Sequence, residues 1–252
     1  MRRVIFLFAL VLGLASCSNK VEVKETQLVN VHFGYAMQVE MPTTKAVNSS
    51  DINDWIEDQL PQAISLRLTD ANGNRYSIQT NTAAQLPVGI YTVTGKSTPT
   101  STAALAGSDL FLSNTAPIIK INTTVEVTYS QQNYVVSATY GSFGIVVDRE
   151  ETASVSYQSS HGEVGNVDFA TIGTAGLAFI NGELQSFSIM FSLNPVSNSN
   201  EKTDYTFQAS YSESSISPAN GNYYILHPKK ASSIEGASFS YSIGSFRAVD
   251  VQ

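Results

Sequence analysis

Ile64-Ser65-Leu66-Arg67-Leu68-Thr69-Asp70-Ala71-Asn72-Gly73-Asn74-Arg75-Tyr76-Ser77-Ile78-Gln79 carries the period of a β-hairpin. Ile64, Leu66 and Leu68 alternate with Ser65, Arg67 and Thr69, so an extended chain places three apolar side chains on one face and three polar ones on the other. Asp70-Ala71-Asn72-Gly73-Asn74 then supplies turn formers, and a second strand is expected near Tyr76 to Gln79. The alternation recurs along the chain. Val125, Val127 and Tyr129 alternate with Thr124, Glu126 and Thr128, and Phe187, Ile189, Phe191 and Leu193 alternate mostly with serines. Tyr205, Phe207, Ala209 and Tyr211 interleave with Thr206, Gln208 and Ser210, and Phe239, Tyr241 and Ile243 repeat the pattern. One apolar and one hydroxyl-rich face per strand is what half-buried antiparallel sheets require, and two such sheets facing inward make a sandwich. The fold class expected is all-β, as two tandem antiparallel β-sandwiches with one short helix.

The helix is expected after Ser49-Ser50, where Asp51 to Asp58 puts acidic residues in the first turn and Ile52, Trp55 and Ile56 on one face, ending by Pro61. Asn181-Gly182, between Leu177 to Ile180 and Leu184 to Leu193, predicts a type I′ hairpin. A short internal echo bears on domain count. Leu86-Pro87-Val88-Gly89-Ile90-Tyr91 and Ser217-Pro218-Ala219-Asn220-Gly221-Asn222-Tyr223 each run proline, glycine, then tyrosine two residues later. Two copies point to two sandwiches of related plan, although such turns also recur within single β domains. The division expected is a leader over 1–16, a tether over 17–26, an N-terminal sandwich over 27–147 and a C-terminal one over 148–252. The charge cluster Asp148-Arg149-Glu150-Glu151 at that boundary suits an exposed linker, and it equally suits the cap of a strand inside one domain.

The start of the chain decides location. Arg2-Arg3 precede Val4 to Leu12, a run without a polar residue that is too short to span a bilayer and has the pattern of a secretory signal. Leu14-Ala15-Ser16-Cys17 closes it and resembles the lipobox of bacterial lipoproteins, in which a peptidase cuts before a cysteine carrying a thioether-linked diacylglycerol and an acylated amino group. The resemblance accounts for a lone cysteine in an oxidising compartment. It implies a membrane partner reached through a lipid anchor at Cys17. At roughly 0.8 kcal/mol per buried CH2, two or three acyl chains anchor permanently.

Composition narrows the partners further. Formal net charge is −7, and loss of Arg2 and Arg3 takes it to −9. An acidic body is repelled by nucleic acid and by anionic headgroups, so neither is an expected ligand. With one cysteine no internal disulfide forms.

Catalysis finds no motif to rest on. His32, His161 and His227 are more than sixty residues apart and show no metal-ligand spacing. HExxH, Gly-x-Ser-x-Gly, P-loop and dinucleotide patterns are missing from the sequence. The adjacent pairs Glu57-Asp58 and Glu150-Glu151 point to opposite faces if extended, and Asp168 and Glu183 have no partner visible in the sequence. Asp70 to Asn74 alternates oxygen ligands as calcium loops do but lacks the distal glutamate of an EF-hand, so a turn is expected there. The expectation is therefore no enzyme, no cofactor and no metal.

Twelve tyrosines and one tryptophan suit carbohydrate recognition, in which sugar C–H faces stack on rings. Trp55, Tyr223 and Tyr224 are the candidate ligand-binding residues. The alternative is structural: tyrosines at period-two positions are core or cross-strand residues, and Trp55 plugs one end of the first sandwich.

Taken together, the lipobox, His32-Phe33-Gly34-Tyr35, Thr44-Lys45-Ala46-Val47 before the tryptophan-bearing segment, the Asp-Ala-Asn-Gly turn and Leu-Pro-Val-Gly-Ile-Tyr-Thr-Val look like fimbrillin-like surface lipoproteins of the Bacteroidota. The likeness covers roughly residues 14 to 140. It implies tandem transthyretin- or immunoglobulin-like sandwiches, outer-membrane attachment with the body at the cell surface, and structural, anchoring, tip or adhesive roles among fimbrial or surface protein partners. The chain departs from that pattern in being short for a major pilin and in lacking a clear arginine cleavage site in the first unit, where Lys45 and Arg67 are the candidate basic sites. An accessory or anchoring role is thus expected. The alternatives are a glycan-binding lipoprotein beside an outer-membrane carbohydrate importer and, third, an unrecognised hydrolase.

The lipobox makes one direct prediction. Mass spectrometry of the membrane fraction should find Cys17 as the N-terminal residue carrying diacylglycerol, and Cys17→Ser should leave the protein out of that fraction. An unmodified thiol on protein free in the medium contradicts it.

Overall fold

The computed structural model describes residues 27–37, 50–102, 112–149, 152–159, 164–181, 186–193, 204–210, 219–229, 238–247 and 250–251. The leader, Cys17, the tether, Thr44 to Val47, Glu150, Glu151, His161, Gly182 and Glu183 lie outside them.

The described residues are all-β with one short helix. It opens with β1 (Leu28–Met37), α1 (Ser50–Asp58), β2 (Ser65–Asp70), β3 (Arg75–Gln79), β4 (Ala83–Pro87) and β5 (Gly89–Lys96). Next come β6 (Leu112–Ser113), β7 (Ile119–Val127), β8 (Asn133–Tyr140), β9 (Ser142–Asp148), β10 (Thr152–Ser159) and β11 (Val164–Asn166). The remainder is β12 (Ala170–Ile172), β13 (Ala175–Asn181), β14 (Ser186–Leu193), β15 (Asp204–Ser210), β16 (Asn222–Lys229), β17 (Ser238–Ser245) and β18 (Asp250–Val251).

The described strands form three sheets. An eight-stranded sheet runs β18-β1-β8-β7-β5-β2-β3, with β4 also on β1; a six-stranded one runs β12-β13-β9-β16-β17, with β6 on β13; a four-stranded one runs β11-β10-β14-β15. The two larger sheets form a sandwich-like arrangement around a shared core. Phe33, Tyr35, Leu66, Leu68, Tyr91, Val93 and Ile121 from the first meet Val146, Leu177, Phe179 and Tyr223 from the second. Each such side chain removed from water is worth about 1.5–3 kcal/mol.

The opening hairpin forms as expected: β2 and β3 pair antiparallel with Leu66 opposite Ile78 and Thr69 opposite Arg75. Asp70 organises its turn. Its Oδ1 accepts the N–H of Asn72 (2.9 Å) and of Asn74 (2.8 Å), its Oδ2 accepts Asn74 Nδ2 (2.8 Å), and Gly73 takes φ +83°. These bonds, that from the Asn74 side chain first, hold the Asp70 carboxyl below its ordinary pKa. Helix α1 also forms, burying Ile52 and Ile56 against the core while Asp51, Asp54, Glu57 and Asp58 stay exposed.

Other expectations are corrected. β13 and β14, which flank Asn181-Gly182, do not make a hairpin with each other, because they lie in different sheets. Asn-Gly reports a local tolerance for positive φ and says nothing of which strand comes alongside. The tight turn in that region is Gly173-Thr174, where Gly173 at φ +60° lets Ile172 pair with Ala175. Among the described strands two pairings are parallel, β1 with β8 and β9 with β16, and the others are antiparallel. Side-chain alternation is identical in both directions and does not distinguish them. β7 stops at Val127, which leaves Tyr129 in the following loop, 63% exposed.

Around residues 147 and 148 the chain is well connected. β9 is an inner strand of the six-stranded sheet, and two pairings, β6 with β13 and β18 with β1, join segments from opposite sides of that position. Arg149 caps the end of β9, its N–H donating to Thr174 O (2.9 Å) and its Nη1 to Thr171 Oγ1 (2.9 Å).

Strand ends are tied by buried hydroxyls. Thr80 Oγ1 accepts the Ile64 N–H (2.8 Å), Ser97 Oγ the Ile119 N–H (2.8 Å) and Ser142 Oγ the Ile118 N–H (3.1 Å). Ser142→Ala therefore strands a buried N–H and should cost about 1–3 kcal/mol, read as a lower denaturation midpoint with unchanged slope. Phe246→Ala, which empties a fully buried ring site, should cost more, about 3–5 kcal/mol.

Tyrosine ionisation gives a pH test. Burial raises Tyr35 and Tyr140 well above the ordinary value, and burial, then Tyr76 and Asp70, push Tyr91 up to about 12. A folded pKa above the unfolded value of roughly 10 stabilises the fold fully below that pH and is lost as pH rises through the folded value. Tyrosinate absorbance should therefore show these rings ionising only as far-UV circular dichroism is lost above pH ~10; ionisation of every tyrosine with the fold intact contradicts this.

Candidate interaction surface

Trp55 lies on the inner side of α1, half-buried, with its ring stacked on Phe179 of β13 at 6.1 Å and 15°. The helix thus brings an aromatic side chain from the early chain onto the six-stranded sheet. Tyr223 and Tyr224 open β16 after the Gly221 turn, where φ is +82°. Tyr223 is wholly buried, stacked on Phe246 at 5.9 Å and 16°, and Tyr224 packs edge-on against Phe143 at 5.9 Å while its hydroxyl accepts the Ala219 N–H (2.8 Å). Neither tyrosine offers a ring face to a ligand, and the structure does not bring them together with Trp55 as one exposed aromatic platform. The echo at Tyr91 behaves alike: its ring is buried and its hydroxyl donates to Pro87 O (2.7 Å). In both turns the tyrosine two residues past the glycine is core, and a tyrosine hydroxyl bonds the turn's main chain, that of Tyr91 in the first and of Tyr224 in the second.

The outer face of the eight-stranded sheet is different in kind. Even-numbered residues of β5 and β7 and odd-numbered ones of β2 and β3 point away from the core. This puts Arg67, Arg75, Lys96 and Lys120 among Ser65, Ser77, Thr92, Thr94, Asn122 and Thr124. Lys96 and Lys120 are direct cross-strand partners. Burial, then Lys96, lowers the Lys120 pKa. Like charges placed opposite each other cost a few tenths of a kcal/mol to about 1 kcal/mol, so the sheet keeps a cationic spot on an acidic molecule.

Two depressions meet there. One of about 390 Å³ is lined by Ser65, Arg67, Ser77, Thr94 and Lys96, and one of about 230 Å³ continues over Lys96, Ser97, Thr98, Pro99 and Pro117. Among the described residues neither Arg67 nor Lys96 has an ion-pair partner. Two cationic side chains with hydroxyls between them can hold a carboxylate or sulfate through charge-assisted hydrogen bonds. Sequence reading missed this group, since its members are scattered over 55 positions and only strand register makes them neighbours.

The remaining candidates are separated. His32 lies on the outer face of β1 in a depression of about 350 Å³ with Gly34, Asn133, Tyr134 and Val135, and Asp168 is an exposed loop residue. Both carboxylate oxygens of Asp70 already accept hydrogen bonds from the turn. Among the described residues no three His, Cys, Asp or Glu side chains group as metal ligands. No helix among them is long and apolar enough to cross a membrane.

No protein-family model matches the chain, and no curated protein matches its sequence. Its structure is similar to that of the C-terminally truncated tip fimbrial protein Mfa3 from Porphyromonas gingivalis, at 9% identity and a TM-score of 0.46, over 86% of this chain and 100% of that one. It is similar also to a fimbrial assembly protein from Parabacteroides distasonis, at 13% identity and a TM-score of 0.46, over 89% and 99% of the two chains. Likeness at this level carries no assignment of function to this chain.

Proposed function

We propose that the chain is a lipid-anchored cell-envelope protein, acylated at Cys17 and held at the outer membrane with its body facing outward. There it serves by protein contacts, without catalysis, as an accessory or anchoring component of a fimbria-like or adhesive assembly. The observation that carries the reading is the lipobox followed, ten residue steps later, by an all-β body. The body supports it with an open sheet edge. β3 pairs only with β2 among the described strands, and residues Arg75, Ser77 and Gln79 on it are exposed. An unpaired strand edge accepts a further strand through main-chain hydrogen bonds.

A second reading, glycan capture beside an importer, is favoured by the cationic, hydroxyl-lined depression around Arg67 and Lys96. Its ligand would be an acidic sugar.

Brief protease treatment of intact cells decides the location: the body should be shaved off while a periplasmic marker survives, and protection equal to the marker's overturns the outward placement. In the same preparations, cross-linking should recover surface subunits. Binding to uronate-bearing glycans that Lys96→Ala abolishes, with no subunit recovered, replaces assembly by the second reading.

A further inference from the structure

The large apolar side chains exposed to water among the described residues are Leu28 (55%), Ile90 (59%), Tyr129 (63%) and Val135 (57%). Register places the first three at one end of the eight-stranded sheet. Leu28 pairs with Pro87, Gly89 follows Pro87 by two residues and pairs with Val127, and Tyr129 lies two residues beyond Val127. Val135 is on the same outer face, opposite Gly34 on the neighbouring strand.

The loop that carries Tyr129 is pinned. Tyr134 Oη accepts the Thr128 N–H (3.0 Å) and donates to Gln131 O (2.9 Å), so the Tyr129 ring is held out in water by an ordered turn. Over residues 27–31, 85–91 and 125–134, which make up this pole, Glu126 is the one charged side chain. Patches of this kind, apolar with a phenol at the rim, mark contact with another phase or molecule.

The chain itself indicates what comes alongside. The pole is where β1 begins, and ten residue steps separate Gln27 from Cys17. Fully extended, ten steps reach about 33–36 Å, and as a coil they average roughly 16–19 Å. A lipid on Cys17 therefore holds this end of the body, rather than the opposite end, within reach of the bilayer. Tethering also raises the effective concentration of the surface, so a contact too weak to hold alone becomes populated.

We infer that this pole is a membrane-docking surface: Leu28, Ile90 and Tyr129 seat in the headgroup region of the bilayer that holds the anchor, so that the body stands on the membrane in one orientation. The inference rests on acylation of Cys17 as proposed above. Lacking Lys and Arg, the pole recognises a zwitterionic surface through apolar and phenolic contact instead of charge.

The test uses the full lipidated chain in phosphatidylcholine vesicles, with a nitroxide on Ser130→Cys at the pole or on Thr98→Cys at the far end of the same sheet. The acylated Cys17 leaves each introduced thiol unique. The Ser130→Cys label should collide with a water-soluble nickel reagent at least ~3-fold less than the Thr98→Cys label, as expected for a site at headgroup depth. Adding Leu28→Ser, Ile90→Ser and Tyr129→Ser, all at exposed positions, should remove the difference. Equal accessibility of the two labels on protein that floats with the vesicles overturns the docking surface and leaves the anchor standing, as does protection that survives the triple change. A free thiol at Cys17 with no flotation overturns the anchor itself.

Discussion

With a single cysteine the chain has no internal disulfide, so apolar burial is the main term that joins its two larger sheets, and Phe246 is where the buried rings meet. Its ring stacks on Tyr223 of the six-stranded sheet and meets Phe179 of that sheet edge-on at 5.9 Å and Tyr140 of the eight-stranded sheet edge-on at 4.7 Å. Phe179 in turn carries Trp55, so one chain of contacts links the helix, both sheets and the last segment before β18. Aromatic pairs in these geometries add roughly 0.5–1.5 kcal/mol each beyond area burial. The packing leaves no slack. A Cβ at Gly244 would fall 2.0 Å from the Tyr223 ring, and one at Gly144 would sit 3.0 Å from Tyr223 Cβ and 3.3 Å from Phe246. Glycine is required at Gly244 so that a ring can occupy the space above the strand.

The second constraint is main-chain satisfaction at strand ends. β1 shows its reach: the first half pairs with β4, the second with β8, and residues 35 and 36 with β18. A strand that changes partners partway along leaves N–H and C=O groups at each changeover, and these must find other acceptors and donors. Asn81, at φ +60°, donates its N–H to Phe33 O (2.7 Å), and the Gln132 carbonyl accepts the His32 N–H (2.7 Å). Tyr35 Oη crosses to Pro61 O (2.6 Å). Hydroxyls and turns thereby close the ladder where strands exchange neighbours. The Arg247 to Asp54 ion pair, by contrast, is largely exposed and contributes at most about 1 kcal/mol.

The same distinction explains what could be read from the chain. Strand identity was legible wherever one face is core: Leu66 and Leu68 declare β2, and Ile52 with Ile56 declare α1, because side-chain period depends only on which face is buried. Pairing was legible only for the local hairpin of β2 and β3 across Asp70 to Asn74, since elsewhere partners are chosen by register and direction across long loops. Asn181-Gly182 looked like a hairpin yet joins strands of two different sheets, and β9 beside β16 gives no local sign of running parallel. Tyr223 and Tyr224 show the limit for sites. An aromatic residue after a glycine turn has the same local pattern whether its ring faces solvent or the core, and only the three-dimensional neighbours Phe246, Gly244 and Phe143 decide it. Arg67, Lys96 and Lys120 went unnoticed as a group for the converse reason, each being an ordinary solvent-facing strand residue until the register aligns them.

The outer face of the eight-stranded sheet is polarised along its strands, and the polarity follows from the register. β5 carries Ile90 at its start and Lys96 at its end, both on the outer face and six residues apart, about 20 Å at strand rise. β7 runs the other way and repeats only the cationic end, with Lys120 beside Lys96, while Glu126 lies beside Ile90. Antiparallel neighbours conserve the gradient only if their sequences are reversed in character, cation first on one and last on the other. An apolar end thus faces the side from which the chain enters, and a cationic, hydroxyl-rich end faces away. On the anchoring proposed above, the end that carries Arg67 and Lys96 is the one turned away from the membrane, and it sets positive charge there on an otherwise acidic chain.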